Sequence, residues 1–285
     1  GIDRGLYLGG QRVVAGFVHG EFGRCDRDPT RRRDAGQCRG TRADQTDRFA
    51  ADLTGRGVVA GQRVALWMPD RIESAVALLA CSRNGLVCCP SPHRNHTVSD
   101  VVTLLERMRA AALIYQDGFG ADGPQHDIES AIADLGSLRH FCRLSPHDPA
   151  DTTPPFQDHL AEGSIDFAVA PPVTDPDAVI YIAFTSGSTG VPKGVMHSDN
   201  SLLVTARGIS TDWNIGRHSV VYSLSPFSHN LGIGALLTAI YGAAEFVIHD
   251  IARSDSLVDR LIETDTSYLV GVPTHAIDLL AEIRE

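Results

Sequence analysis

The stretch AVIYIAFTSGSTGVPKGVMHS, residues 178–198, decides the fold, because it joins a strand pattern to a loop of glycines and hydroxyl side chains. Its first eight residues are apolar and rich in β-branched and aromatic side chains, which predicts a buried strand. The loop that follows holds Lys193, the only lysine in the sequence; the other 24 of the 25 basic residues are arginines. A lone lysine in such a loop needs a chemical explanation.

Strand and helix patterns alternate on both sides of this stretch. Strands are predicted at 62–68, 86–90, 112–116, 178–185, 220–224, 245–249 and 267–271. Helices are predicted at 46–57, 70–85, 97–111, 200–209, 232–244, 256–264 and 275–285. Asp70 is predicted to cap the second helix, and Thr97 and Asp100 to begin the third. The alternation predicts an α/β fold with mainly parallel sheets and right-handed crossovers.

Composition divides the chain into four parts. Residues 1–45 are rich in Arg and Gly and follow neither a helical nor a strand period, which indicates a solvated arm. The alternative is that an upstream frameshift has replaced the native beginning. Residues 46–144 form a first α/β subdomain, 145–177 a Pro- and Asp-rich connection, and 178–285 a second α/β part that carries the loop.

Charge and cysteine content exclude several classes of protein. A net charge of −10 argues against a nucleic-acid-binding protein, which is normally basic. The six cysteines form no C-x-x-C pair and match no common zinc spacing, so no metal site is predicted. Cys88 and Cys89 lie in an apolar run and are expected to be buried free thiols. No signal peptide and no membrane span are recognised, so we expect a cytoplasmic protein.

The loop has the composition of an anion-binding site. It leaves the carboxyl end of a predicted strand, where open α/β sheets place ligands. Glycines allow a positive φ and a close approach of the backbone to an anion. Backbone amides and hydroxyls can surround phosphate oxygens, and Lys193 adds a point charge. The candidate binding residues are Thr185, Ser186, Gly187, Ser188, Thr189, Gly190, Lys193 and Gly194.

The loop admits two other interpretations. It is not a Walker A loop, because that motif ends in Gly-Lys-Ser/Thr, whereas here Pro192 precedes the lysine and Gly194 follows it. A flexible surface hairpin without a ligand is the remaining alternative. The ordered string of serine, threonine, glycine and lysine favours phosphate binding over that alternative.

Several stretches together resemble one family. Residues 181–198 closely resemble the phosphate-binding signature of the adenylate-forming enzymes, the superfamily of acyl-CoA synthetases, luciferases and peptide-synthetase adenylation domains. GVVAGQRVALWMPD (57–70), NGLVCCPSPH (84–93), YSLSPFSHNLGIG (222–234) and VGVPT (270–274) resemble other stretches of these enzymes. The sequence is therefore identified as a member of this superfamily, of the acyl-CoA synthetase or fatty-acid–CoA ligase type.

The resemblance implies a reaction and its participants. A carboxylate, from a fatty or cyclic acid, would attack ATP to give an acyl-adenylate and pyrophosphate, and coenzyme A would then displace AMP, with Mg²⁺ screening the anions. The loop would hold the β- and γ-phosphates, and His229 would stand where the acyl pocket meets the adenylate. His197 is expected to have a local structural role. Gly232 and Gly234 would allow close approach of the acyl chain or serve packing.

Later motifs of the family are not recognised before Glu285, including those that hold Mg²⁺ and ribose. The resemblance thus covers the first part of the large N-terminal domain. One expectation is a truncated ligase that is inactive alone and acts at most as a nucleotide-binding or interaction module. A truncated surface would also favour self-association. A stand-alone nucleotide sensor is a third class, without a positive feature in its favour.

Overall fold

The computed structural model describes residues 35–148, 155–162, 171–185, 192–249 and 255–284. The helices are α1 (Ala35–Gly55), α2 (Ile72–Arg83), α3 (Val98–Met108), α4 (Ile128–Ile132), α5 (Gln157–Glu162), α6 (Asp199–Asp212), α7 (Asn230–Gly242), α8 (Leu257–Glu263) and α9 (Pro273–Arg284). The strands are β1 (Arg63–Trp67), β2 (Val87–Cys89), β3 (Ala110–Gln116), β4 (His140–Leu144), β5 (Val179–Thr185), β6 (Lys193–Ser198), β7 (Val220–Ser223), β8 (Glu245–Ile248) and β9 (Tyr268–Val270).

The described strands form two sheets. The larger sheet has six strands in the order β4-β3-β1-β2-β5-β6, and the smaller has three in the order β8-β7-β9. Every described pairing is parallel except that of β5 with β6. The prediction of an α/β fold with mainly parallel sheets is confirmed. Because β1, β2 and β5 run in the same direction, the loops that follow them meet at one edge of the larger sheet.

Helices cover both faces of the larger sheet. On one face, apolar side chains of α3 and α4 pack against β1 and β3, with Trp67 and Leu113 buried among them. On the other face, α1 and α2 share one continuous core with α7 and with side chains of both sheets. Tyr181 of β5 and Phe246 of β8 both belong to this shared core. The two sheets are therefore joined through α7 rather than standing as separate units.

Several elements differ from the sequence prediction. α1 starts at Ala35, within the segment predicted to be an irregular arm, and its first half has no apolar stripe that could have indicated a helix. β4, β6, α4 and α5 were not predicted, and α5 lies inside the predicted connection, next to the buried Phe156. Residues 1–34, 149–154 and 163–170 of these segments lie outside the described residues.

The helix starts give one confirmed and one wrong prediction. Thr97 caps α3 in a reciprocal capping box with Asp100, as predicted. Asp70 does not cap α2, because the residue at that position is Arg71 and it makes no side-chain cap. The Asp70 carboxylate instead accepts the backbone N–H of Phe227 at 2.8 Å. A contact between residues so distant in sequence could not be read from local helix-start rules.

Two further predictions concern the cysteine side chains and the absence of a membrane-spanning helix. Cys88 and Cys89 are buried free thiols, as expected, and so are Cys81 and Cys142. Within the described ranges, no helix combines the length and the apolar character needed to cross a membrane.

Candidate functional site

The glycine-rich loop connects the two strands of an antiparallel hairpin. Thr185 ends β5, Lys193 begins β6, and the two residues are paired across the strands. The Thr185 hydroxyl donates to the Lys193 carbonyl at 3.5 Å. The two strands that flank the loop therefore form a hairpin. This geometry is compatible with both interpretations of the loop, the hairpin without a ligand and the phosphate-binding site. The predicted residues Ser186, Gly187, Ser188, Thr189 and Gly190 lie outside the described residues.

Lys193 is exposed at the base of this loop. Its ammonium group forms no ion pair with a carboxylate of the described residues. A cation without an internal counter-charge can bind an incoming anion without first breaking a salt bridge. This arrangement fits the phosphates of a nucleotide.

Gly194 has a backbone conformation different from the one predicted. It lies in the extended strand β6 and is not among the described glycines with a positive φ, so the prediction of a positive φ is wrong for this residue. A Cβ at Gly194 would stand 3.1 Å from Cγ2 of Ile182 and 3.5 Å from the ring of Phe184. The missing side chain therefore serves close packing within the hairpin.

The end of β5 is held against the segment that follows β2. The backbone N–H of Phe184 donates to the hydroxyl of the buried Ser91 at 2.8 Å. His93 lies two residues beyond Ser91 and is therefore at the same edge of the sheet as Thr185. This edge is where the sequence predicted a ligand.

His229 also reaches this edge. It occupies the position before α7, its side chain is exposed, and it makes no side-chain cap to the helix. Its ring centroid is 5.9 Å from that of His93, and the ring of His93 is 4.0 Å from that of His96. The structure therefore groups His229 with two histidines that were not predicted as site residues.

His93 and His96 are held by backbone groups. The Nδ1 atom of His96 accepts the His93 N–H at 3.0 Å, and Nδ1 of His93 accepts the Asn95 N–H at 3.3 Å. Burial lowers the pKa of His93 below its usual 6.5, and the neighbouring His96 and His229 lower it further. Burial also lowers the pKa of His96, opposed by the charge of Asp100. Because the Nδ1 atom of each ring accepts a hydrogen bond, the neutral ring carries its proton on Nε2. The H-x-x-H spacing in PHRNH was the sequence signal that could have identified them.

Two hydrogen bonds attach the His229 segment to the larger sheet. Asp70, just after β1, accepts from Phe227, and the Tyr181 hydroxyl donates to Asn230 Oδ1 at 2.8 Å. Burial raises the pKa of Asp70 from 3.8 to about 7, opposed by the Phe227 hydrogen bond. Burial also raises the pKa of Tyr181, so its hydroxyl remains a donor at all ordinary pH values.

The two glycines of α7 differ in their surroundings. A Cβ at Gly232 would stand 2.3 Å from the Pro226 carbonyl oxygen and 2.5 Å from that of Ser225, whereas one at Gly234 would meet no atom within 4 Å. Gly232 thus allows the helix to contact the turn before His229, which supports the packing role. His197 lies in β6, and its ring stacks on Tyr181 at 5.5 Å. The expected local structural role of His197 agrees with this position.

No group of three His, Cys, Asp or Glu side chains within the described ranges has the geometry of a metal site. The described residues therefore supply no carboxylate cluster that fits Mg²⁺, and we assign no residue to it. A separate cavity of ≈ 440 Å³ lies beyond Trp67, beside Tyr115, Glu129 and Arg143. None of the predicted site residues lines this cavity.

Comparison with protein families gives a match over most of the chain. The family model described as AMP-binding enzyme matches residues 41–285. The benzoate- and 4-hydroxybenzoate–CoA ligase of Rhodopseudomonas palustris is 28% identical over 263 residues, which cover 90% of this chain and 46% of the relative. The medium-chain fatty-acid–CoA ligase of Escherichia coli is 25% identical over 231 residues, covering 80% of this chain and 40% of the relative. The chain thus spans less than half the length of these two relatives.

Solved structures show the same fold. The inhibitor-bound N-terminal domain of FACL13 from Mycobacterium tuberculosis superposes with a TM-score of 0.70 at 20% identity, covering 85% of this chain and 57% of that one. Apo MatB from Rhodopseudomonas palustris gives a TM-score of 0.67 at 23% identity, covering 83% of this chain and 44% of that one.

Proposed function

This chain belongs to the AMP-binding enzyme family, and we propose that it supplies the phosphate-binding loop and the site histidine of an AMP-forming acid–CoA ligase. One observation carries the proposal: Lys193, Thr185 and His229 lie at the carboxyl edge of parallel strands, on elements joined by hydrogen bonds. An exposed cation beside a glycine- and hydroxyl-rich loop suits the β- and γ-phosphates of ATP.

The proposed chemistry has two steps. A carboxylate oxygen attacks the α-phosphorus of ATP, and the bond to the bridging oxygen breaks, so that pyrophosphate leaves and an acyl-adenylate remains. The thiolate of coenzyme A then attacks the acyl carbon, and AMP leaves. In the first step, Lys193 and the loop amides would bind the departing pyrophosphate, whose negative charge grows as the bond breaks.

His229 is proposed to stand between the acid and the adenylate. Its exposed ring lies at the start of α7, beside the ring of His93. An imidazole N–H at this place can donate a hydrogen bond to the reacting carboxylate or to a phosphate oxygen. The family implies Mg²⁺ as well, but no residue of the described ranges is assigned to this ion.

The class of acid is proposed from the relatives. The names of the two relatives specify a medium-chain fatty acid and benzoates. We propose a fatty or cyclic carboxylic acid for this chain. A nucleotide-binding or interaction module without turnover is the second candidate, which the exposed apolar stripe of α9 favours: Ile277, Leu280 and Ile283 are 65%, 53% and 60% exposed.

The single lysine allows a direct test of phosphate binding. An amine-reactive reagent can modify only Lys193 and the α-amino group of the chain. We expect ATP and pyrophosphate to protect Lys193 but not the α-amino group, as measured by peptide mass spectrometry. Lys193→Ala should weaken ATP binding by ~10²-fold, and Lys193→Arg should restore it only in part, because a planar fork replaces a point charge.

Arg217→Ala is the matched control. Arg217 is exposed just before β7, which belongs to the smaller sheet and not to the sheet of β5 and β6, and its replacement removes the same unit of charge. If this variant loses as much affinity as Lys193→Ala, general charge attraction explains the binding and the proposal is wrong. AMP and thioester formation from a panel of fatty and cyclic acids, with ATP, Mg²⁺ and coenzyme A, separates the ligase from the binding module.

A further inference from the structure

We propose that Asp70 and Tyr181 are positioning residues that hold His229 beside the phosphate-binding loop, an inference that rests on the proposed function of that site. Neither residue is expected to contact a substrate. Each acts through a residue next to or near His229 in sequence: Asp70 from the segment that follows β1, and Tyr181 from within β5. Asp70 and Tyr181 thus hold the chain on both sides of His229, at Phe227 and at Asn230.

The first point of attachment is Asp70. Its Oδ1 accepts the Phe227 N–H at 2.8 Å, two residues before His229. Phe227 is only 4% exposed and stacks on Phe246 with ring centroids 5.9 Å apart, so the accepted N–H belongs to an anchored residue. Neighbouring Arg71 pairs with Glu73 instead, and Asp70 forms no ion pair with a described residue. Its one described partner is this backbone group.

A carboxyl group here is costly for stability. It is partly buried, and burial raises its pKa to about 7. Burial disfavours the charged form of a carboxyl group, and residues that are locally unfavourable are typical of functional sites. We infer that the function of Asp70 is to hold the turn that carries His229.

The second point of attachment is Tyr181. It is fully buried in β5, and its hydroxyl donates to Asn230 Oδ1 at 2.8 Å. Asn230 directly follows His229, and Tyr181 lies four residues before Thr185 on the same strand. The strand that presents the loop thus also holds the first residue of α7. The position of Asn230 relative to Thr185 is therefore tied to a single strand.

The turn that carries His229 is held by internal hydrogen bonds and close packing. The His229 N–H donates to the Pro226 carbonyl at 3.0 Å, and the Ser223 hydroxyl donates to the Ser225 carbonyl at 2.9 Å. Gly232 packs directly against the carbonyl oxygens of this turn. We therefore expect a displacement of either attachment to move the ring of His229 and to change its contact with His93.

The test measures the position of the His229 ring. Histidine ring C–H cross-peaks are recorded by NMR on the full chain labelled with ¹³C-histidine, and His229 is assigned from the peak lost in His229→Gln. We expect Asp70→Ala and Tyr181→Phe each to shift the His229 cross-peak and to weaken its nuclear Overhauser contact with His93. Asp70→Asn keeps an oxygen acceptor for Phe227 and should retain both signals.

Tyr115→Phe is the control. Tyr115 is a buried tyrosine of the same sheet, but its hydroxyl bonds Glu129 of α4 on the opposite face. This variant should leave the His229 signals unchanged. An unchanged His229 cross-peak in both Asp70→Ala and Tyr181→Phe, each folded by circular dichroism, would overturn the proposal. If Asp70→Ala does not fold, Tyr181→Phe alone decides.

The outcome is separable from that of the proposed function. ATP protection of Lys193 in the unsubstituted chain tests phosphate binding without any variant of Asp70 or Tyr181. If ATP protects Lys193 but the His229 cross-peak does not shift in the variants, only the positioning role is rejected. If the cross-peak shifts but ATP does not protect Lys193, only the proposed function is rejected. Where acyl-adenylate forms, both attachment variants should lower its rate by up to ~10²-fold without changing Lys193 protection, because a displaced catalytic group lowers the rate and not the binding.

Discussion

A methyl group added at Gly232 tests whether the turn before His229 is as closely packed as the structure indicates. The Cβ of Gly232→Ala would lie 2.3 Å from the Pro226 carbonyl oxygen, where real contacts begin at 3.0 Å. The helix and the turn must therefore separate by at least 0.7 Å, the difference between these two distances. The atoms in the way belong to the backbone, so no side chain can rotate aside. We expect the free energy of unfolding to fall by about 1–3 kcal/mol, the usual cost of overpacking.

Gly234→Ala is the matched variant, two residues along the same helix. Its Cβ would meet nothing within 4 Å, so the change adds only helix propensity. We expect Gly234→Ala to raise the free energy of unfolding by up to ~1 kcal/mol. The two substitutions are chemically identical, and their effects should have opposite signs.

Urea unfolding followed by circular dichroism measures both effects as shifts of the midpoint. In Gly232→Ala the His229 cross-peak should also move, because the turn is displaced. Equal midpoints for the two variants would refute the packing argument. So would a Gly232→Ala protein with an unmoved His229.

Three further predictions concern other parts of the chain. Thr97→Ala removes the side-chain cap of α3 and should lower the free energy of unfolding by ~1 kcal/mol in urea titration. Because the native pKa of Asp70, about 7, is above its usual 3.8, the stability linked to its protonated form is complete below pH 4 and lost as the pH rises through 7. Asp70→Asn should therefore stabilise the chain by roughly 1–3 kcal/mol at pH 8 and much less at pH 4, measured by urea unfolding at both values. The exposed Ile277 and Leu280 of α9 should cause self-association at tens of micromolar by light scattering, and replacing both with Asp should give a monomer; a monodisperse unsubstituted chain would contradict this.

Local patterns were sufficient for most of the parallel framework. Strands such as β1, β3 and β5 are short apolar runs that both faces of the sheet bury, and such runs are recognisable without any knowledge of their partners. The capping box at Thr97 was likewise predictable, because every participating group lies within four residues. The elements that were missed have weak local signals. β4 alternates buried and exposed residues at the edge of the sheet, α4 has only five residues, and β6 begins inside a loop-like sequence.

The sequence by itself determined the α/β class, the family, and the identity of Lys193 and His229 as candidate site residues, since each depends on an ordered string of neighbours. Only the tertiary structure decided that Asp70 serves the His229 turn rather than a helix start, and that His93 stands beside His229. Only the structure, too, distinguished Gly232 from Gly234, which look alike in sequence. The physical reason is that these relations are contacts between segments distant along the chain, and such contacts arise only when the sheets pack around a shared core.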